Sequence, residues 1–159
     1  MSIEKPVFLH SQIKDDVAFG KNVKVVLPAN LYGCQIGDDC FIGPFTEIQK
    51  DVIIGKRTKI QSHTFICELV SIGGGCFIGH GVMFINDTFS GGGPAQGDKS
   101  KWKSTSIGNY VSIGSNATIM PVHICDNVVI GAGAVVTKDI LAAGIYAGNP
   151  AVLIRTIDK

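Results

Sequence analysis

Broken at every sixth position, residues 36–84 read IGDDCF IGPFTE IQKDVI IGKRTK IQSHTF ICELVS IGGGCF IGHGVM F. Isoleucine stands at Ile36, Ile42, Ile48, Ile54, Ile60, Ile66, Ile72 and Ile78 without a slip, and Phe84 takes the next place. A period of six fits neither the 3.6 of an amphipathic helix nor the simple alternation of a long strand. It marks short β segments joined by tight turns. Further along, the period returns at Ile107, Ile113 and Ile119. After a one-residue slip it continues at Ile124, Ile130 and Val136.

Two more columns run in phase with the first. Small or β-branched residues stand two places before each inward position: Cys40, Thr46, Val52, Thr58, Thr64, Val70, Cys76 and Val82, then Val111, Ala117, Val128 and Ala134. Glycine follows the isoleucine at Gly37, Gly43, Gly55, Gly73, Gly79, Gly108, Gly114 and Gly131, where it is expected to give the φ freedom of a tight corner. Together the columns describe a triangular solenoid with three hexapeptides per coil. Its coils stack about 4.8 Å apart, and each buries its inner face only against its neighbours. Cys34, Cys40 and Cys76 fall in the small-residue column, where a thiol acts as a compact hydrophobe.

With 159 residues the chain makes one domain, 1–159, large enough for a continuous core. A net charge of +1 gives no electrostatic reason to expect nucleic acid or an anionic membrane as partner. Residues 1–10 carry charges and Pro6 but no continuous apolar run, so a cytoplasmic location is the default expectation. Five cysteines, an odd number without a CxxC pair, fit reduced thiols better than a disulfide framework or a zinc knuckle.

Two segments break the repeat. Residues 87–106 contain Gly91, Gly92, Gly93, Pro94 and Gly97, then a charged run around Trp102, and are expected to loop out from one corner. Near the other end, Gly148, Asn149, Pro150 and Ala151 turn the chain into a tail expected to cap the last coil.

The repeats, the ejected loop and the closing run IGAGAVVTKDI (130–140) followed by GNPA (148–151) resemble the bacterial hexapeptide-repeat acyltransferases over residues 36–155. That resemblance implies a left-handed parallel β-helix, a homotrimer, and a coenzyme lying in the groove between two helices. Within it, QSHTFICE (61–68) and GHGVMFIND (79–87) look like the nucleotide-sugar N-acetyltransferases, which acetylate an amino group of a dTDP- or UDP-linked sugar for surface polysaccharide such as O-antigen. The implied co-substrate is acetyl-CoA and the implied acceptor a nucleotide-linked amino sugar, with the 3-amino position expected. One departure is local: after Asn86 and Asp87 the family often has an aromatic residue, proline and arginine, whereas this chain has Thr88, Phe89 and Ser90.

Acyl transfer to an amine asks for alignment of two reactants, removal of a proton and stabilisation of an oxyanion. A histidine can take the proton. His10 precedes the repeats and His123 sits at the slip, which leaves His63 and His80. Because one coil is eighteen residues, His63 lies one coil below Gly81, next to His80, so both fall on one corner. Each histidine can equally be a corner residue bonded to backbone or solvent. Asn86, which opens the loop, is implied by the resemblance as a substrate contact, or it simply starts a turn. Counting in sixes puts it at a different corner from His63, so the two could share a site only across a subunit interface. By position in related enzymes, Ser115, Ala132 and Thr137 are implied to touch the pantetheine arm, and Lys138 and Arg155 to approach the nucleotide phosphates. A second tail arginine of some relatives falls at Val152.

Two other functions share the fold. A zinc-dependent carbonic anhydrase needs three convergent imidazoles, including a pair five residues apart that is absent here, so no metal site is expected. A non-catalytic scaffold would keep the coils and lose the site.

Overall fold

The computed structural model describes residues 12–157, so His10 lies outside the described residues. Among them the chain forms short strands and one 3₁₀ turn, wound into a left-handed parallel β-helix with three faces. The first face begins with Ala18–Phe19 and holds six strands, the second begins with Lys24–Val25 and holds eight, and the third begins with Asn30–Leu31 and holds six. Strands of one face pair in parallel from coil to coil. On the second face this stacks Ile42, Ile60, Ile78, Ile113 and Ile130 in one column. All five are buried, as are the equivalent residues of the other two faces, and they form one continuous core.

The solenoid starts a full coil before the first isoleucine of the unbroken run. Phe19 pairs with Ile36, Val25 with Ile42 and Leu31 with Ile48. That coil is hidden from a strict six-residue count because the step from Leu31 to Ile36 is five, the same slip that separates Ile119 from Ile124.

The small-residue column does more than fill corners. The Thr58 hydroxyl donates to the Gly73 carbonyl of the next coil at 2.8 Å, the Thr64 hydroxyl to Gly79 at 3.0 Å, and the Cys76 thiol to Gly108 at 3.2 Å. Threonine and cysteine alternate with valine there because each pairs its one polar group locally and so avoids the penalty of a buried, unbonded donor.

Glycine after the inward residue has a different cause from the one expected. The positive φ angles of the corners fall two residues later, at Asp39, Phe45, Arg57, His63, Tyr110 and Asn116 among others, and the glycines of that column are absent from the positive-φ set. What requires Gly79 is close approach: an added Cβ would lie 2.7 Å from the Ser115 nitrogen and 2.8 Å from the Ile113 oxygen of the next coil.

Thr105 and Ser106 were expected in the loop but already belong to the strand Thr105–Ile107, paired with Val70 and Ser71. Thr105 is the buried small-column residue of that hexapeptide, so the period resumes before Ile107. At the C-terminus, Gly144–Ala147 adds a parallel strand to the second face. Val152–Thr156 then folds back antiparallel on it, so the cap is a hairpin that extends one face. No helix among the described residues is long and apolar enough to cross a membrane.

Burial pushes the Cys34 thiol up to about 11 and the Cys67 thiol up to about 12. At pH 8 a thiol with a pKa near 11 is thiolate in only about one molecule in a thousand. Cys40 and Cys76 are buried and shifted the same way, and Cys125 alone is half-exposed. A chromogenic thiol reagent at pH 8 is therefore expected to label Cys125 first, with the other four reacting only in denaturant. Rapid labelling of several thiols in the native protein would contradict the packing role.

Candidate active site

The edge between the second and third faces carries a ladder of corners built on one template. Each corner has a glycine or polar residue, an exposed or half-buried turn residue, and a residue of positive φ. Successive coils contribute Pro44 and Phe45, Ser62 and His63, His80 and Gly81, Ser115 and Asn116, and Ala132 and Gly133. Backbone bonds lock the ladder: His63 N–H donates to Pro44 O at 3.1 Å, Gly81 to Ser62 at 2.9 Å, Asn116 to His80 at 2.8 Å and Gly133 to Ser115 at 2.9 Å. His63 and His80 thus share an edge one coil apart, and Ser115 and Ala132 continue that edge directly above His80.

The two histidines have different surroundings. His63, at φ 61°, stacks its ring on Phe45 with centroids 4.9 Å apart and 28° between planes. The His80 Nδ1 is 2.8 Å from the Ser62 hydroxyl, eighteen residues back. Above His80 the side chains become small. A Cβ on Gly81 would meet the Asn116 side-chain oxygen, so that amide lies over the corner occupied by His80. Among the described residues, the N–H groups of Ser115 and Ala132 donate to no protein acceptor.

Asn86, Thr137 and Lys138 lie on the next edge, between the third and first faces. The side-chain nitrogen of Asn86 donates to the Glu68 carbonyl one coil below at 3.3 Å, and its own carbonyl accepts from Lys103 N–H at 2.9 Å. The second bond closes the neck of the loop. The first fixes the amide so that its oxygen is left to accept. One further contact ties the loop to the coils, that of Lys99 with Glu68, and the others brace it from within. Asp87 accepts from the N–H groups of Phe89 and Ala95, Lys99 pairs with Glu68 at 2.6 Å, and the Lys99 ammonium lies 5.2 Å from the Trp102 ring centre. Trp102 is thereby turned to the loop's own lysine.

Within one chain the candidates do not meet at a point. The histidine edge and the Asn86 edge are separated by the width of the third face, roughly 15 Å for five extended residues. Arg155 is exposed on the antiparallel end strand, opposite Ile145. Among the described residues no three His, Cys, Asp or Glu side chains are grouped to hold a metal. Ser62 and Phe45 were not singled out from the sequence, although subtracting one coil from 80 and from 63 yields them.

Residues 33–68 match the family described as bacterial transferase hexapeptide (six repeats), and residues 104–138 match the hexapeptide repeat of succinyl-transferase. With three stacked faces and these repeats, the chain is a hexapeptide-repeat protein of the left-handed β-helix class. Its similarity extends to the bifunctional protein GlmU of Acidithiobacillus ferrooxidans, 30% identical over 142 residues, which are 84% of this chain and 31% of that one. The chain thus spans less than a third of that relative's length. Among solved structures, a hexapeptide-repeat acetyltransferase of Vibrio cholerae complexed with acetyl coenzyme A superposes with a TM-score of 0.66 at 23% identity, covering 80% of this chain and 73% of that one. An aspartate-to-asparagine mutant of AntD, an N-acyltransferase of Bacillus cereus, in complex with dTDP and coenzyme A, superposes with a TM-score of 0.56 at 25% identity, covering 89% of this chain and 84% of that one.

Proposed function

We propose that the protein is an acyl-coenzyme-A-dependent N-acyltransferase that acetylates the amino group of a nucleotide-linked sugar, working as a homotrimer. The observation that carries this reading is the vertical order on one edge. His80 sits below Ser115 and Ala132, whose N–H groups are unpaired and whose side chains are small. Two coils span about 10 Å, a length of edge along which part of an extended pantetheine arm could run to bring its thioester down to the imidazole. The likeness to AntD, which binds dTDP and coenzyme A together, supports a nucleotide sugar as acceptor.

In this mechanism the acceptor nitrogen attacks the thioester carbonyl, forming a C–N bond and an oxyanion. His80 takes the proton from that nitrogen. Collapse of the intermediate breaks the C–S bond, and the proton passes to the departing thiolate, leaving an amide and free coenzyme A. Asn86 accepts a hydrogen bond from the amine through its free side-chain oxygen and so orients the nitrogen lone pair. Since Asn86 lies across a face from His80, the site is completed when the loop edge of one copy meets the histidine edge of the next. The exposed Met83 and half-buried Phe65 of the third face give that contact an apolar surface. Thr137 and Lys138 on the loop edge, and Arg155 on the end strand, would complete the coenzyme contacts, with the two cations facing its phosphates.

The test is thiol release from acetyl-coenzyme A with a panel of dTDP- and UDP-linked 3-amino and 4-amino sugars. Turnover with one acceptor is expected, and Asn86→Ala should lower kcat/KM for it by about tenfold to a hundredfold, the range for losing one positioned hydrogen bond to the reacting amine. No release with any acceptor, together with no binding of the coenzyme, would leave a scaffold as the function.

A further inference from the structure

The contact between Ser62 and His80 carries a role that the two histidines alone do not reveal. A neutral imidazole has one protonated nitrogen, and a partner of Nδ1 that can only donate or only accept decides which. A group that can only donate to Nδ1 would force the proton onto Nε2, leaving no lone pair there for an incoming amine. A hydroxyl is both donor and acceptor, so it permits either tautomer of the neutral ring, but only in the one with Nδ1–H can it accept at 2.8 Å before, during and after proton transfer at Nε2 without turning round. The bond survives the change of charge on the ring, and the ring need not reorient in the cycle. His63 has no such partner on its ring; its neighbour is the face of Phe45.

We propose that Ser62 is a positioning residue: its hydroxyl accepts from the Nδ1–H of His80 and holds the tautomer whose Nε2 lone pair faces outward from the edge. This rests on the acyltransferase reading for its catalytic consequence, but not for the tautomer itself. Ser62 is well placed for the task because its backbone is fixed in the ladder, its carbonyl accepting from Gly81 N–H at 2.9 Å. Both ends of the contact are therefore set by coil stacking rather than by a mobile loop.

The tautomer is read directly from long-range proton–nitrogen NMR spectra of the ¹⁵N-labelled full chain, at a pH where titration in the same spectra shows a neutral ring. His80→Ala identifies the resonances among the four histidines. The expected result is a protonated Nδ1 and a bare Nε2 at His80, with both tautomers present in Ser62→Ala and the native pattern kept in Ser62→Thr. With a working acceptor, Ser62→Ala should lower kcat about tenfold while KM for both substrates stays within about twofold, and Ser62→Thr should recover most of the rate. A protonated Nε2 in the unaltered chain, or a Ser62→Ala variant with unchanged tautomer and kcat, would overturn the proposal. If the Nδ1–H tautomer is found and depends on Ser62 while no acyl transfer occurs, the positioning contact stands and the acyltransferase reading falls.

Discussion

Replacing His80 by alanine is expected to lower kcat for acyl transfer by about 10²–10³-fold, the usual cost of losing a general base. His63→Asn should cost at most about tenfold. The asymmetry follows from what each ring touches. The His80 imidazole has one nitrogen committed to Ser62 and the other free on the edge, one coil below the unpaired Ser115 N–H. The His63 ring is spent on a stack with Phe45, an arrangement worth about 0.5–1.5 kcal/mol of stability, so its removal should show in melting temperature before it shows in rate. Asparagine is the substitute at 63 because the position holds a φ of 61°, which asparagine tolerates better than alanine. Steady-state rates for the two variants, with circular dichroism to confirm that both are folded, decide the matter. Equal losses at the two positions would place the base at neither ring alone, and a larger loss in His63→Asn would move it to His63.

Much of this architecture was readable from residues 36–84, since a fixed period of six with a buried residue at each mark specifies coil length, face number and the inward column together. The one-residue slip after Leu31 explains what was missed, the coil before Ile36: a coil of seventeen residues keeps its stacking in space but breaks a count in the sequence. Site residues were less legible for a related reason. Eighteen-residue arithmetic brought His63 and His80 to one edge, and it equally places Ser62 under His80 and Phe45 under His63. What it lacks is side-chain direction, and so it cannot separate a ring held by a hydroxyl from one held by an aromatic face. Asn86 and Lys138 fall on the other edge for the same counting reason. Whether they join the histidines depends on a second copy of the chain, which the repeat pattern of one chain does not describe.

The glycine column shows how a correct pattern can carry the wrong cause, and it yields the largest stability effect expected here. If glycine at 79 were needed for φ, alanine would be harmless, because Gly79 is not among the positive-φ positions, whereas Gly133 at φ +68° should be the sensitive site. The stacking account predicts the reverse. At Gly79 the new methyl meets backbone nitrogen and oxygen of the next coil at 2.7 and 2.8 Å, atoms that cannot swing aside without spreading the two coils. Gly79→Ala should cost about 1–3 kcal/mol, as overpacking does, and lower the melting temperature by about 2–4 °C for each kcal/mol in a chain of this size. Around Gly133 nothing lies within 4 Å of an added Cβ, and the equivalent corner one coil below already holds Asn116 at φ 60°. Gly133→Asn should therefore cost about 1 kcal/mol or less. Thermal melts of the two variants side by side separate the explanations, since only the φ account puts the greater loss at Gly133. The same contact lies under the proposed site: Gly79 precedes His80 and its crowding atom is the nitrogen of Ser115, so spreading these coils would also move Ser115 away from the imidazole. Gly79→Ala should accordingly raise KM for the coenzyme at temperatures where the variant is still fully folded, whereas Gly133→Asn, though closer to Ala132 in sequence, should leave the spacing between His80 and Ser115 unchanged.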